Sequence, residues 1–206
     1  VSSLGIIRAD GSVMSKALEW ADDASNSSQA FLHVMEPDGA VKCRTTGWIK
    51  QVGGKILPFA LLRVSFGKSV PPPGTPLLDD SGRVVAIFFQ GAGTGTTGYA
   101  IPAEAVHRVK KDICNGGRLV RGWLGIALRA ESQVPQISRV IPDSPAARAG
   151  IQPKDVLLSI GHRQISDYAD AANAFFYLMP DKPVGVKVLR GVETLDFTLT
   201  PTQPKG

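Results

Sequence analysis

Along this chain the apolar residues fall in runs of about four to eight, separated by glycine, proline and small polar residues. That is the punctuation of many short strands rather than of long helices. Leu4–Ile7, Phe31–Met35, Val41–Thr45, Ala60–Val64 and Val84–Phe89 read as strands in the first half. Ile137–Ile141, Val156–Ile160, Val184–Arg190 and Thr194–Leu199 do so in the second. Turns are expected at Asp10-Gly11, Asp38-Gly39 and Ser81-Gly82, where the residue types favour tight reversal.

Helical spacing is confined to three places. Val106, Val109 and Ile113 follow Pro102, which suits a first helical position, and Asn115-Gly116 are natural caps. A short helix is expected after Ser144-Pro145, with Gly150 as its stop, and another from about Tyr168 to Met179, before Pro180. The pattern closes at Asn115-Gly116-Gly117 and a new strand-rich segment begins. Two domains are therefore expected, 1–116 and 117–206.

Composition agrees with a globular reading: 206 residues, 43% hydrophobic and 20% charged, can bury one or two ordinary cores. The longest apolar run, Val84–Phe89, is far short of the ~20 residues that cross a bilayer, so no transmembrane segment is expected. The chain opens at Val1 without a signal peptide's basic and apolar regions, so a leader is expected to have been removed or never present.

The net charge is +5, but the Lys and Arg residues are scattered and not interleaved with aromatics. They read as a solvated surface and not as a nucleic-acid interface. Cys43 and Cys114 lack zinc or redox spacing, and both the free and the bridged state stay open. No metal or cofactor is expected. Gly93-Thr94-Gly95-Thr96-Thr97-Gly98 matches a dinucleotide-binding spacing but leads into the extended Tyr99-Ala100-Ile101, so it reads as a surface loop. Gly67-Lys68-Ser69 lacks the preceding glycine of a phosphate-binding loop.

The second half carries a family resemblance. Gly122-Trp123-Leu124-Gly125-Ile126, then Ile137 through Ile151, then Lys154-Asp155-Val156-Leu157-Leu158-Ser159-Ile160-Gly161 resemble, in order and spacing, a bacterial HtrA-type PDZ domain over about Leu119–Thr200. The resemblance implies that the loop Trp123, Leu124, Gly125 and Ile126 offers backbone N–H groups to a peptide's terminal carboxylate. The following strand would add the peptide as an extra strand. The helix bearing Ala171, Ala172 and Phe175 is expected to form the opposite wall, with Phe175 in the groove. Phe176 and Met179 read as core, and His162 as an exposed turn residue.

The first half resembles the end of an HtrA/DegP protease domain through Gly74-Thr75-Pro76-Leu77-Leu78-Asp79-Asp80-Ser81-Gly82-Arg83-Val84-Val85-Ala86-Ile87 and Gly98-Tyr99-Ala100-Ile101-Pro102. The family pattern Gly-Asn-Ser-Gly-Gly-Pro-Leu, laid on Pro76-Leu77, puts Pro73 on the nucleophile and Pro71 on the first glycine. Proline has no N–H, so neither position can supply the oxyanion-hole donor the family uses there. Losing one such donor costs about 2.7–4 kcal/mol of transition-state stabilisation.

The family's histidine falls at or near Ala17 and its aspartate at Pro58, before Phe59-Ala60-Leu61-Leu62. The histidines are His33, His107 and His162; His33 reads as a partly buried strand residue and His107 as solvated among Arg108, Lys110 and Lys111. The short stretch from Arg63 to Pro71 implies deleted strands, leaving a barrel that closes in reduced form or covers its edges.

The fold class expected is thus mainly β: a shortened trypsin-like (chymotrypsin-type) β-barrel domain followed by a PDZ domain that is β-rich with two helices. The function expected is a non-catalytic, HtrA-like binder of peptide or protein C-termini or extended segments. Two rivals are an active serine protease using an atypical nucleophile such as Ser69 or Thr75, and a structural subunit paired with an intact protease. A periplasmic or cell-envelope setting is implied by the resemblance alone.

Overall fold

The computed structural model describes residues 17–21, 31–36, 39–52, 55–93, 95–129 and 134–204. The strand expected at Leu4–Ile7 and the turn at Asp10-Gly11 lie outside them. The chain separates into two compact units, one of residues 1–49 and 61–117, the other of residues 50–60 and 118–206. Gly117 thus ends the first unit, and the segment Lys50–Ala60 belongs to the second, which the linear reading had no means to expect.

The first unit is a closed barrel. Its strands are β1 (Phe31–Glu36), β2 (Gly39–Val52), β3 (Lys55–Phe66), β4 (Pro76–Leu78), β5 (Val84–Gly91) and β6 (Thr97–Pro102), joined in the order β1-β2-β3-β6-β5-β4. Closure comes from β1 against β4, where His33 lies opposite Leu78. A closed barrel has no edges to protect, which resolves the edge problem posed by the missing strands.

Alternation decides which side chains fill it. Leu32 and Val34 of β1, Leu62, Val64 and Phe66 of β3, and Phe88 of β5 are buried in one cluster. Phe66 and Phe88 meet edge to face at 5.4 Å. Gly98 on β6 permits that packing, since a Cβ there would stand 2.4 Å from the Phe88 ring.

Helix α1 (Ala103–Gly116) follows β6. Pro102 precedes the helix as its N-cap and is still extended. The C-cap is Gly117, left-handed at φ 68°, with Asn115 and Gly116 inside the helix and not capping it as expected. The buried face also differs from the apolar stripe: Ala105, Arg108 and Asp112 are buried, while Val106, Val109 and Ile113 are half-exposed. Arg108 and Asp112, one turn apart, form an ion pair, which makes their burial tolerable.

The second unit contains a two-stranded sheet of β7 (Ile126–Leu128) and β8 (Ile137–Val140). A four-stranded sheet runs β10-β9-β11-β12, with β9 (Val156–Ile160), β10 (Arg163–Gln164), β11 (Val184–Arg190) and β12 (Glu193–Leu199). Two helices, α2 (Pro145–Ala149) and α3 (Tyr168–Phe176), complete it. Ser144 caps α2 by accepting from the Ala147 N–H at 3.1 Å, and Gly150 ends it at φ 87°.

Helix α3 starts at the Asp167 cap, which accepts from the Asp170 N–H at 2.7 Å. It stops at Phe176, one turn before the Met179 end that Pro180 suggested, because Tyr177 already leaves the helical ladder as C-cap. The core joins Leu124, Ile137, Leu157, Val186, Val188 and Leu199 with Ala171 and Ala174 of α3. Beneath it, Asp155, 1% exposed, receives Arg190 Nε and Nη2 at 2.8 Å each and the Gln152 N–H at 2.9 Å. Burial works against the ionised form of Asp155, but these donors and the Arg190 charge outweigh it and hold its carboxyl below the usual value.

Candidate functional site

The loop before β7 is fixed from both sides. The Gly122 N–H donates to the Leu178 carbonyl at 2.9 Å and the Trp123 N–H to the Thr202 carbonyl at 2.7 Å. The Leu124 carbonyl accepts from the Ala146 N–H at 3.0 Å, and the Gly125 carbonyl from the Ile141 N–H at 2.8 Å. Gly125 is left-handed, φ +79°, and lies so close to the start of α2 that a Cβ would stand 2.1 Å from Ser144 Cβ. No other residue fits that position without movement.

The amides that stay open are those of Leu124 and Gly125, which have no acceptor among the described residues. Ile126 pairs with Val140, and the flanking Ile141-to-Gly125 bond makes this a pair whose own N–H and C=O point away from the partner strand. Since β7 has β8 as its one neighbour among the described residues, Ile126 faces an open edge. Trp123 was expected to donate as well, but its N–H is taken by Thr202, leaving its ring to line the site.

Beside this loop is a cleft of about 670 Å³. Tyr168, Ala172 and Phe175 line it from α3, at the i, i+4, i+7 spacing of one helix face, joined by the neighbouring Phe176. Gly122 and Trp123 border it from the loop, with Arg121 as the cation among its lining residues. Ala171, expected on this wall with Ala172, is fully buried in the core instead: one residue along a helix is a rotation of about 100°. Tyr168 and Arg121 were missed, although the spacing of Tyr168 from Ala172 and Phe175 was readable.

Leu57 and Pro58 of β3 also line the cleft. They sit beside three anchors: Phe59 against Phe176 at 4.9 Å, the Ala60 N–H donating to Asn173 Oδ1 at 2.8 Å, and the Lys50–Asp170 ion pair. Pro58 lies outside the Leu62–Ser65 stretch that pairs with β6, so its missing N–H removes no bond of that ladder.

In the first unit, the turn before β4 is as closed as the loop before β7 is open. Pro71, Pro72 and Pro73 have no N–H. The Gly74 N–H donates to the Phe88 carbonyl at 2.8 Å, and the Thr75 N–H to the Pro72 carbonyl at 3.2 Å. The Thr75 hydroxyl donates to that same Pro72 carbonyl at 2.7 Å. Asp79 holds the following turn through the Ser81 and Arg83 N–H groups at 2.9 Å each.

Of the histidines, His33 Nε2 is bonded to Asp80 Oδ1 at 2.8 Å, on a half-buried strand position. His107, expected to be solvated, is part-buried: its Nε2 meets the Ala21 carbonyl at 3.3 Å and its ring lies 5.5 Å from that of Trp20. His162 is exposed in a turn. Ala17 is exposed too. Cys43 is buried and Cys114 exposed, both free. No group of side chains fit to hold a metal occurs among the described residues, and none of their helices is long and apolar enough to cross a membrane.

The PDZ domain family matches residues 122–200, the stretch that builds this loop and the α3 wall of the cleft. A "Probable periplasmic serine endoprotease DegP-like" of Marinomonas sp. is 30% identical over 208 residues, 89% of this chain and 44% of the relative. A protein of the same description from Chlamydia trachomatis is 28% identical over 146 residues, 63% of this chain and 29% of the relative. A solved HtrA-type protease, AlgW with decapeptide, superimposes with a TM-score of 0.57 at 20% identity, over 92% of this chain and 65% of that one. The chain therefore carries a PDZ domain and resembles HtrA/DegP proteases along most of its length.

The chain spans less than half the length of these two curated relatives. By the resemblance in the sequence, the nucleophile and oxyanion-hole positions are expected in Pro71–Thr75 and the aspartate position at Pro58. In the structure Pro58 lines the PDZ-side cleft, within the second unit, and Pro73 sits in an exposed turn of the first.

Proposed function

We propose that this protein is a non-catalytic, HtrA-like binder of peptide ends, which it takes up through the loop Leu124–Ile126 and the cleft along α3. What carries the reading is where open amides remain. In the turn Pro71–Thr75 every N–H is absent or already bonded to a carbonyl, so no donor there faces a developing oxyanion. In the loop before β7 the Leu124 and Gly125 amides are open, beside a free strand edge and Arg121. Consecutive N–H groups of that kind make a concavity for an anion, and a terminal carboxylate is the anion that arrives with an extended strand attached.

The decapeptide present with AlgW is consistent with such use of the fold. The relatives' description as periplasmic supports a periplasmic setting under this reading, and its partners are client proteins with accessible C-termini.

The test is a titration of the full chain with two decapeptides ending in Phe, one a free acid and the other its C-terminal amide. The free acid binds and the amide binds at least tenfold more weakly, because the amide removes the charge the open N–H groups receive. Gly125→Trp abolishes binding of both. Equal affinity for acid and amide, or binding that survives Gly125→Trp, refutes the reading.

A further inference from the structure

Two walls of the cleft, loop and helix, follow from the peptide-end reading, on which this inference rests. A third does not. Leu57 and Pro58 come from a strand more than 60 positions upstream of the loop they face. They are not loosely apposed. Phe59 packs on Phe176, the Ala60 amide donates to Asn173, and Lys50 pairs with Asp170, so backbone, ring and charge each hold this segment to α3. The positions of α3 they hold, Asp170, Asn173 and Phe176, adjoin Tyr168, Ala172 and Phe175, and Phe176 itself lines the cleft with those three.

We propose that Leu57 and Pro58 are specificity-determining residues of the ligand site, closing it around the last side chain of a bound peptide. The occupant is a peptide C-terminus ending in a bulky aromatic or branched apolar residue. Charge complementarity places its carboxylate by the open Leu124 and Gly125 amides and Arg121. The apolar surfaces of Leu57, Pro58, Ala172 and Phe175 take its side chain. A cleft of about 670 Å³ exceeds what a small terminal residue fills, so a terminal Ala leaves the Leu57 wall untouched while a terminal Phe reaches it.

The experiment uses the full chain and two free-acid peptides differing in the last residue, Phe or Ala. Leu57→Ala and Pro58→Ser are compared with native protein by equilibrium titration, with Gly125→Trp as the loop control and a melting curve for each variant. Leu57→Ala weakens the Phe-ended peptide about fivefold or more and the Ala-ended peptide less than twofold; Pro58→Ser shifts the two in the same order. Three results overturn the proposal. Unchanged affinities in both variants while Gly125→Trp still abolishes binding remove the third wall and leave the peptide-end reading intact. Equal weakening of both peptides means the segment acts on the fold and not on the ligand's side chain. Failure of either peptide to bind native protein removes the reading and the inference together.

Discussion

Gly125→Ala isolates the close approach on which the binding loop depends. Two separate penalties are built in. A left-handed residue with a Cβ costs about 1–2 kcal/mol. At Gly125 that Cβ also falls 2.1 Å from Ser144 Cβ and 2.5 Å from its hydroxyl oxygen, so the cap of α2 has to shift, an overpacking cost of about 1–3 kcal/mol. Gly191, at φ +62°, shares the first penalty alone, because nothing lies within 4 Å of its Cβ position.

Gly125→Ala is therefore expected to lower stability by about 2–5 kcal/mol and Gly191→Ala by about 1–2 kcal/mol. Urea unfolding reads both, followed by Trp123 fluorescence in a background with Trp20 and Trp48 replaced by Phe, so that the signal belongs to the second unit. Gly125→Ala also loses affinity for a free-acid peptide, whereas Gly191→Ala retains it. Equal midpoint shifts in the two variants refute the reasoning, because Ser144 would then yield at no cost and the glycine would be needed for its backbone conformation alone.

Asp155→Asn lowers stability at pH 7 by about 1–3 kcal/mol through loss of charged hydrogen bonds. Because the folded carboxyl of Asp155 is held below its ordinary value, its contribution is complete above about pH 4 and fades as pH falls through the folded value. The gap between native and variant in urea midpoints therefore narrows at pH 2.5; an unchanged gap contradicts the ion-pair account. Cys43 is buried, and burial pushes its thiol up to about 11, so at pH 8 a disulfide-exchange reagent titrates one thiol rapidly, that of the exposed Cys114, and the second after denaturation. Two fast equivalents in native protein contradict the barrel packing around Cys43.

Local signals carried much of the second unit. Alternating Val186 and Val188, the Ser144-Pro145 start of α2 and the glycine at 125 announce themselves in short windows, because cap chemistry and strand pleat act between near neighbours. What stayed hidden is non-local. That Trp123 donates its N–H to Thr202 depends on a bridge between residues far apart in sequence, and no window around Trp123 contains it. The same holds for residues 50–60, whose place in the second unit rests on Phe59, Ala60 and Lys50 meeting α3.

Helix faces were misjudged where charge and size ran against hydropathy. In α1 the ion-paired Arg108 and Asp112 go in while Val106 and Val109 stay half-exposed. In α3 two adjacent alanines differ in nothing but phase, and Ala171 turns to the core. The barrel's closure was one of two outcomes left open by the missing strands, and the long β2 and β3 exceed the short apolar runs within them, since polar residues on an outer face carry no strand signal of their own.

The central claim is that peptide ends are captured and not cut. Mass spectrometry of a Phe-ended free-acid decapeptide, held with a molar excess of native chain for a day, tests it most directly. The account predicts a parent mass unchanged throughout. Two fragments summing to the parent plus one water, formed by native chain and absent with Thr75→Ala or Ser69→Ala, contradict it.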